Sequence, residues 1–316
     1  ALVGAVGLAL AAAGLACGSF AVFAWSGLGV GVFGAAGQFY RFAAIEAVAP
    51  ARKGLAVSLT LTGGVLAAFL GPWLARSTRD MLGTPFLASF LVLAGVAFVA
   101  ALAGWGLRLP AVQRVHAVQP ARPVRQILAD PGVGLAVAGA VVAYGVMNLL
   151  MTATPLAMLC TGQPFDATAT VIQWHLVAMF APSFLTGSLV GRIGALRVML
   201  IGALISLAAI ALALAGDSYA HFQWSLVGVG LGWNLLYVGA TTLLAEHWRA
   251  EEKGRVQAFN DSLVFLGVTL ATLGAAPLVD RLGWSAVNAW AAIPLLVMVL
   301  VLGRALQRRA GLASAA

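Results

Sequence analysis

Apolar stretches of about 20 residues alternate with short polar punctuation along almost the whole chain, and each is long enough to cross a hydrocarbon core about 30 Å thick. Ten membrane-spanning helices are expected, near residues 1–16, 19–44, 54–75, 85–108, 132–159, 168–191, 197–215, 221–245, 257–279 and 284–306. Helices are the economical choice, because they satisfy their own backbone in lipid and the alternating ten-residue segments of a barrel are missing. The one long polar interruption, about 109–131, is basic and contains Pro110, Pro120, Pro123 and Pro131, so it reads as a linker between two groups of helices.

Composition supports the same class. With 62% hydrophobic and 9% charged residues and a mean hydropathy of +0.99, the chain is too apolar for a soluble globular protein of its length. Its +8 charge does not indicate nucleic acid as a partner, because the basic residues are distributed by side. If Arg108 to Arg125 is cytoplasmic, fourteen Lys and Arg fall on that side and three, Arg76, Arg79 and Arg281, on the other. This asymmetry orients the spans with both chain ends in the cytoplasm. The apolar first residues lack a basic n-region and a cleavage site, so no signal peptide is read.

The chain also resembles itself. Glu46 followed by Lys53-Gly54 recurs as Glu246 followed by Lys253-Gly254, at an offset of 200 residues and at the same kind of junction, which implies two related halves. After the sixth span the loop reads Gly187-Ser-Leu-Val-Gly191-Arg192-Ile-Gly194-Ala-Leu-Arg197. This resembles the G-x-L-x-D-R-x-G-x-R loop of the major facilitator superfamily, with Gly191 where that family has Asp. The resemblance implies an all-α membrane protein of the facilitator fold, with ten of an expected twelve helices in two pseudo-symmetric bundles and the first two helices missing. Residues 1–109 would be an N-terminal bundle remnant (helices three to six of the family), 110–131 a cytoplasmic linker, and 132–316 a complete six-helix bundle (helices seven to twelve).

Two motifs bring chemistry into this frame. Met147-x-x-x-Met151 and His175-x-x-x-Met179 lie on successive spans, and residues four apart share one face of a helix about 6 Å apart along its axis. Thioethers with a neutral imidazole form a soft donor set suited to Cu(I), poor for Mg²⁺ and Ca²⁺ and less suited to Zn²⁺. Single Met residues are common helix filler and a lone intramembrane His often only bridges helices, so the weight rests on the two pairs together.

At these residues the chain resembles the CcoA-type copper importers, a facilitator subgroup, through Tyr144-Gly-Val-Met-Asn-Leu-Leu-Met and Val171-Ile-Gln-Trp-His-Leu-Val-Ala-Met. The resemblance implies copper as cargo, Met147, Met151, His175 and Met179 as its ligands, and supply of a copper-containing respiratory oxidase. Met158 and Cys160, farther along the same helix, are candidate relay ligands, with helix-end packing and an inert thiol as the bland alternatives.

Other polar residues in the spans point to gating or cargo. Arg41, Glu46 and Asp261 are candidates for gating or coupling, against snorkelling for Arg41 and capping for the two acids. Asn148, Gln173, Trp174, Asn234 and Tyr237, with Trp233, would line a cavity suited to a planar organic solute at least as well as to an ion. No P-loop and no nucleophile with base and orienter are present, so the chain is not read as an enzyme and needs no cofactor.

The expectation is a monomeric secondary importer of copper in the bacterial inner membrane, working by alternating access, with the lipid bilayer and a copper ion or small molecule as its partners and no nucleic acid. Two alternatives remain open: import of an organic solute such as riboflavin, which relatives of the copper importers carry, and a non-transporting sensor or assembly factor.

Overall fold

A computed structural model describes residues 1–37, 40, 48, 53–106, 126, 127, 129–249 and 251–314. The expected gating residues Arg41 and Glu46, and most of the linker, lie outside the described residues. The described structure is helical, with no strand among these residues. Its helices are α1 (Leu2–Ala16), α2 (Phe20–Gly37), α3 (Lys53–Thr78), α4 (Leu87–Trp105), α5 (Pro131–Cys160), α6 (Phe165–Phe180), α7 (Ser183–Ile193), α8 (Ala195–Leu214), α9 (Tyr219–Ala245) and α10 (Lys253–Ser314). Seven described helical runs are long and apolar enough to cross a membrane, with α1 as a shorter apolar helix beside them.

Two departures from the expected spans have clear physical causes. The expected span 168–191 is broken into α6 and α7 at Ala181 and Pro182, where proline supplies no N–H to the helical ladder. By contrast, α10 runs unbroken by hydrogen-bond pattern through two expected spans. Its 62 residues would extend roughly 93 Å as one rod, about three membrane thicknesses. Gly283, at φ 78° and ψ 173°, resolves this: its non-helical backbone separates two helices at the expected boundary.

The chain divides into two compact units, Ala1–Arg114 and Val115–Ala316. In the first, glycines let α1 and α2 approach backbone to backbone, since a Cβ on Gly7 would stand 2.9 Å from the Val30 nitrogen. Ala5 and Leu8 of α1 pack with Ala97 of α4 against Val30, Phe33, Phe90 and Ala94. Thr78 and Ser89 share a buried hydrogen bond of 2.7 Å between α3 and α4.

The second unit has one continuous apolar core fed by α5 to α10. Asp130 opens α5 by accepting from the Gly132 N–H at 2.8 Å, followed by Pro131 in the first helical turn, so the helix starts on a sequence-encoded cap. Along the α8–α9 crossing, a Cβ on Gly202 would lie 2.5 Å from the Leu236 nitrogen and one on Gly232 would lie 2.7 Å from the Gly202 carbonyl. Such contact is how membrane helices gain dispersion energy without help from the hydrophobic effect. Helix α9 also packs extensively on α5 and α6, while α5 and α6 meet each other only sparingly. It is the central post of this unit.

Candidate functional site

The candidate site is the junction where α5 and α6 meet α9. On the α5 side, Gly139 faces Ala240 and Tyr144 faces Trp233 and Tyr237, so the two helices run antiparallel. At about 100° per residue, Met147 falls between Gly139 and Tyr144 on the helix wheel and Met151 about 20° from Tyr144. Both therefore lie on the side of α5 that faces α9. Met147 is 3% exposed, whereas Met151 is half-buried against the same core.

On the α6 side, His175 is fully buried and its ring meets the backbone of α9. Its Nδ1 lies 2.7 Å from the Leu226 carbonyl. A carbonyl can only accept, so Nδ1 carries the proton and, in the neutral ring, Nε2 presents a lone pair. That Nε2 is buried without a partner among the described residues. The close approach is permitted by Gly230, whose added Cβ would stand 2.7 Å from the His175 carbonyl oxygen. Met179, one turn on, is also buried.

Asn234 completes the α6–α9 contact. Its Nδ2 donates to the Met179 carbonyl at 2.7 Å and to Ser183 Oγ at 2.6 Å, and its Oδ1 accepts from the Thr186 hydroxyl at 2.6 Å. One buried amide thus spans the break at Pro182, bonding the end of α6 and the start of α7 to the same post. Asn234 was expected to line a cavity; here its polar atoms are engaged within the fold.

An aromatic cluster occupies the adjoining face of α9. Trp233 stacks on Tyr237 with centroids 5.3 Å apart and planes at 9°. Tyr144 of α5 meets the two rings edge-on, at 5.1 and 4.9 Å, and Phe180 of α6 approaches Trp233 at 6.3 Å. Such offset and edge-on geometries match the ring quadrupoles. The Trp233 indole N–H is buried and has no acceptor among the described residues.

Of the two expected ligand pairs, His175 and Met179 lie beside Leu226 to Asn234 of α9, whereas Met147 and Met151 are placed only by the helix period, on the face of α5 turned to the same helix. The remaining expected residues are dispersed. Asn148 turns to α10, donating to the Val268 carbonyl at 3.3 Å and to Thr272 Oγ1 at 2.6 Å. Gln173 is half-buried, and Trp174, 47% exposed, stands about 100° around α6 from His175. Met158 is fully buried farther along α5, while Cys160 is exposed and borders a cavity of about 510 Å³ with Thr161, Asp217 and Ser285. Asp261, half-buried, accepts from Asn260 Nδ2 at 3.1 Å. No cluster of three or more His, Cys, Asp or Glu able to hold a metal occurs among the described residues.

The Leu226 carbonyl and the Ser183 and Thr186 hydroxyls are partners beyond the expected site residues. The first leaves no trace in residue identity. The others had a signal in the hydroxyl residues that follow Pro182.

Residues 136–314 match the sequence profile of the Major Facilitator Superfamily. The chain is 37% identical over 306 residues to the riboflavin transporter RfnT of Brucella anthropi, a match covering 95% of this chain and 76% of that protein. It is 28% identical over 247 residues to each of two MFS-type transporters of Bacillus subtilis, YdeG and YddS, covering 72% of this chain and 56% of each relative. The chain thus spans about three quarters of the first relative and just over half of the other two.

Proposed function

The chain belongs to the major facilitator superfamily, a family of multi-pass membrane carriers rather than enzymes, and from that premise we propose that it carries a small planar organic solute of the flavin class. The observation that carries this reading is the aromatic junction of Tyr144, Phe180, Trp233 and Tyr237, contributed by three helices. It offers stacking surface for a flat ring within a membrane. The likeness to a named riboflavin transporter along nearly the whole chain supports the same choice.

Transport proceeds by alternating access, with cargo held near the membrane midplane and the two related halves rocking about it. The bacterial inner membrane, cytoplasmic chain ends and a monomeric carrier complete the proposal, with Arg41, Glu46 and Asp261 as gating or coupling residues.

Copper import is the second reading, and one specific observation favours it. His175 Nε2 is buried without a partner among the described residues, and Met147 and Met179, on the two neighbouring helices, are both buried. This donor chemistry fits Cu(I), with Met158 and Cys160 as relay ligands toward one end of α5. In both readings the cargo is the substrate and no resident cofactor is required.

One experiment separates them: uptake of labelled riboflavin and of radioactive copper by the same vesicles containing the purified protein. Saturable riboflavin uptake without copper uptake is expected. Copper accumulation with no riboflavin accumulation would reverse the order of the two readings.

A further inference from the structure

Trp233 is 94% buried at the meeting point of α5, α6 and α9, and its indole N–H has no acceptor among the described residues. An indole nitrogen only donates, and within a bilayer there is no bulk water to accept from it. A phenylalanine at this position would give the same stacking on Tyr237 and the same edges to Tyr144 and Phe180 without burying an unpaired donor. The side chain therefore carries one polar group that no described residue engages. His175 presents the opposite polarity on the α6 side of the same helix, since its Nδ1–H is committed to the Leu226 carbonyl and its Nε2 has no partner among the described residues.

We propose that Trp233 is a specificity-determining residue, whose indole N–H donates to a ring carbonyl or ring nitrogen of the cargo while His175 Nε2 accepts from a ring N–H of the same molecule. The aromatic cluster holds the ring by its face, and the two polar atoms select its edge. The substrate class that satisfies both is a planar heteroaromatic ring bearing a lactam or imide edge, where N–H and C=O are neighbours. A hydrocarbon ring of the same size leaves both groups unpaired and is rejected, which is how buried polar groups achieve discrimination that apolar pockets do not. This inference rests on the planar-solute reading above and goes beyond it by assigning the donor, the acceptor and the edge they read.

The probe is riboflavin, whose ring carries an imide N–H between two carbonyls, measured by uptake into vesicles and by quenching of flavin fluorescence on binding to the purified protein. Trp233→Phe should weaken binding and raise KM about tenfold, equivalent to about 1.4 kcal/mol, with resistance to thermal unfolding little changed. Riboflavin methylated at the ring N–H should bind the unaltered protein about tenfold more weakly than riboflavin, which tests His175 without altering the fold.

Unaltered protein that transports riboflavin, joined with a Trp233→Phe variant of the same KM, overturns the role of Trp233 and leaves the flavin reading standing. Equal binding of methylated and parent riboflavin overturns the role of His175. Unaltered protein that neither binds nor transports riboflavin removes the flavin reading, and this inference falls with it.

Discussion

Replacing Asn234 with leucine tests how the break between α6 and α7 is held. The amide is 1% exposed and makes three hydrogen bonds, to the Met179 carbonyl, Ser183 Oγ and the Thr186 hydroxyl. Side-chain hydrogen bonds between membrane helices average about 0.6 kcal/mol and reach about 1.7. Three of them therefore contribute roughly 2 kcal/mol. The loss is unevenly shared. Thr186 also lies 2.9 Å from the Pro182 carbonyl, so its proton has a second acceptor. The Met179 carbonyl has no such freedom, and leaving a buried acceptor unpaired costs about 1–3 kcal/mol.

The expected outcome for Asn234→Leu is a destabilisation of about 2 kcal/mol with most of it traceable to that carbonyl. The assay is equilibrium unfolding in mixed detergent and denaturing micelles, followed by loss of helical circular dichroism. Asn234→Asp retains an acceptor for Thr186 but loses both donated bonds and should do no better than leucine. An Asn234→Leu protein within about 0.5 kcal/mol of the unaltered one would refute the staple, because that shift is smaller than the average for one such bond.

Further outcomes follow from other contacts. Gly202→Ala places its Cβ 2.5 Å from the Leu236 nitrogen, backbone that cannot rotate aside, so α8 and α9 must separate; about 1–3 kcal/mol of stability should be lost in the same unfolding assay. Gly283→Ala forces a Cβ onto a backbone at φ 78° and ψ 173° and should cost about 1–3 kcal/mol, seen as a lower thermal transition in detergent. Met147→Leu combined with Met151→Leu conserves volume, so stability should change by less than about 1.5 kcal/mol; under the copper reading radioactive copper uptake should nonetheless vanish, and its persistence would exclude these sulfurs as ligands. Asn148→Leu removes two bonds to α10 and should lower stability by about 1 kcal/mol at two average bonds, measured by unfolding.

What was legible in the chain and what was not divides along one physical line. Hydropathy is a property of residues, and so a multi-pass helical chain could be read directly, although seven described helical runs rather than ten are long and apolar enough to span; the turn between the last two expected spans was legible too, and Gly283 makes it by adopting a backbone that other residues resist. The Asp130-Pro131 start of α5 was local in the same sense. Pro182 was equally visible, yet it sits in apolar text that continues on both sides, and hydropathy alone merges α6 and α7 into one span. Only the partner helix shows that the ladder is interrupted there and supported by Asn234.

The helix period also put each Met or His pair on one face, but a period does not say which neighbour that face meets. That choice is made by glycine at the crossings, such as Gly230, which admits His175 to the α9 backbone, and by the α5 crossing that turns Tyr144 onto Trp233. The same rotation explains why residues with similar sequence credentials part company. Asn148, one position from Met147, bonds α10, and Trp174, one position from His175, is exposed, while Trp233 and Asn234, adjacent on α9, divide between the aromatic cluster and the helix staple. The rotation of α9 thus fixes which groups of its neighbours meet it, the Tyr144 ring from α5 against Trp233 and Tyr237 and the His175 ring from α6 against the Leu226 carbonyl.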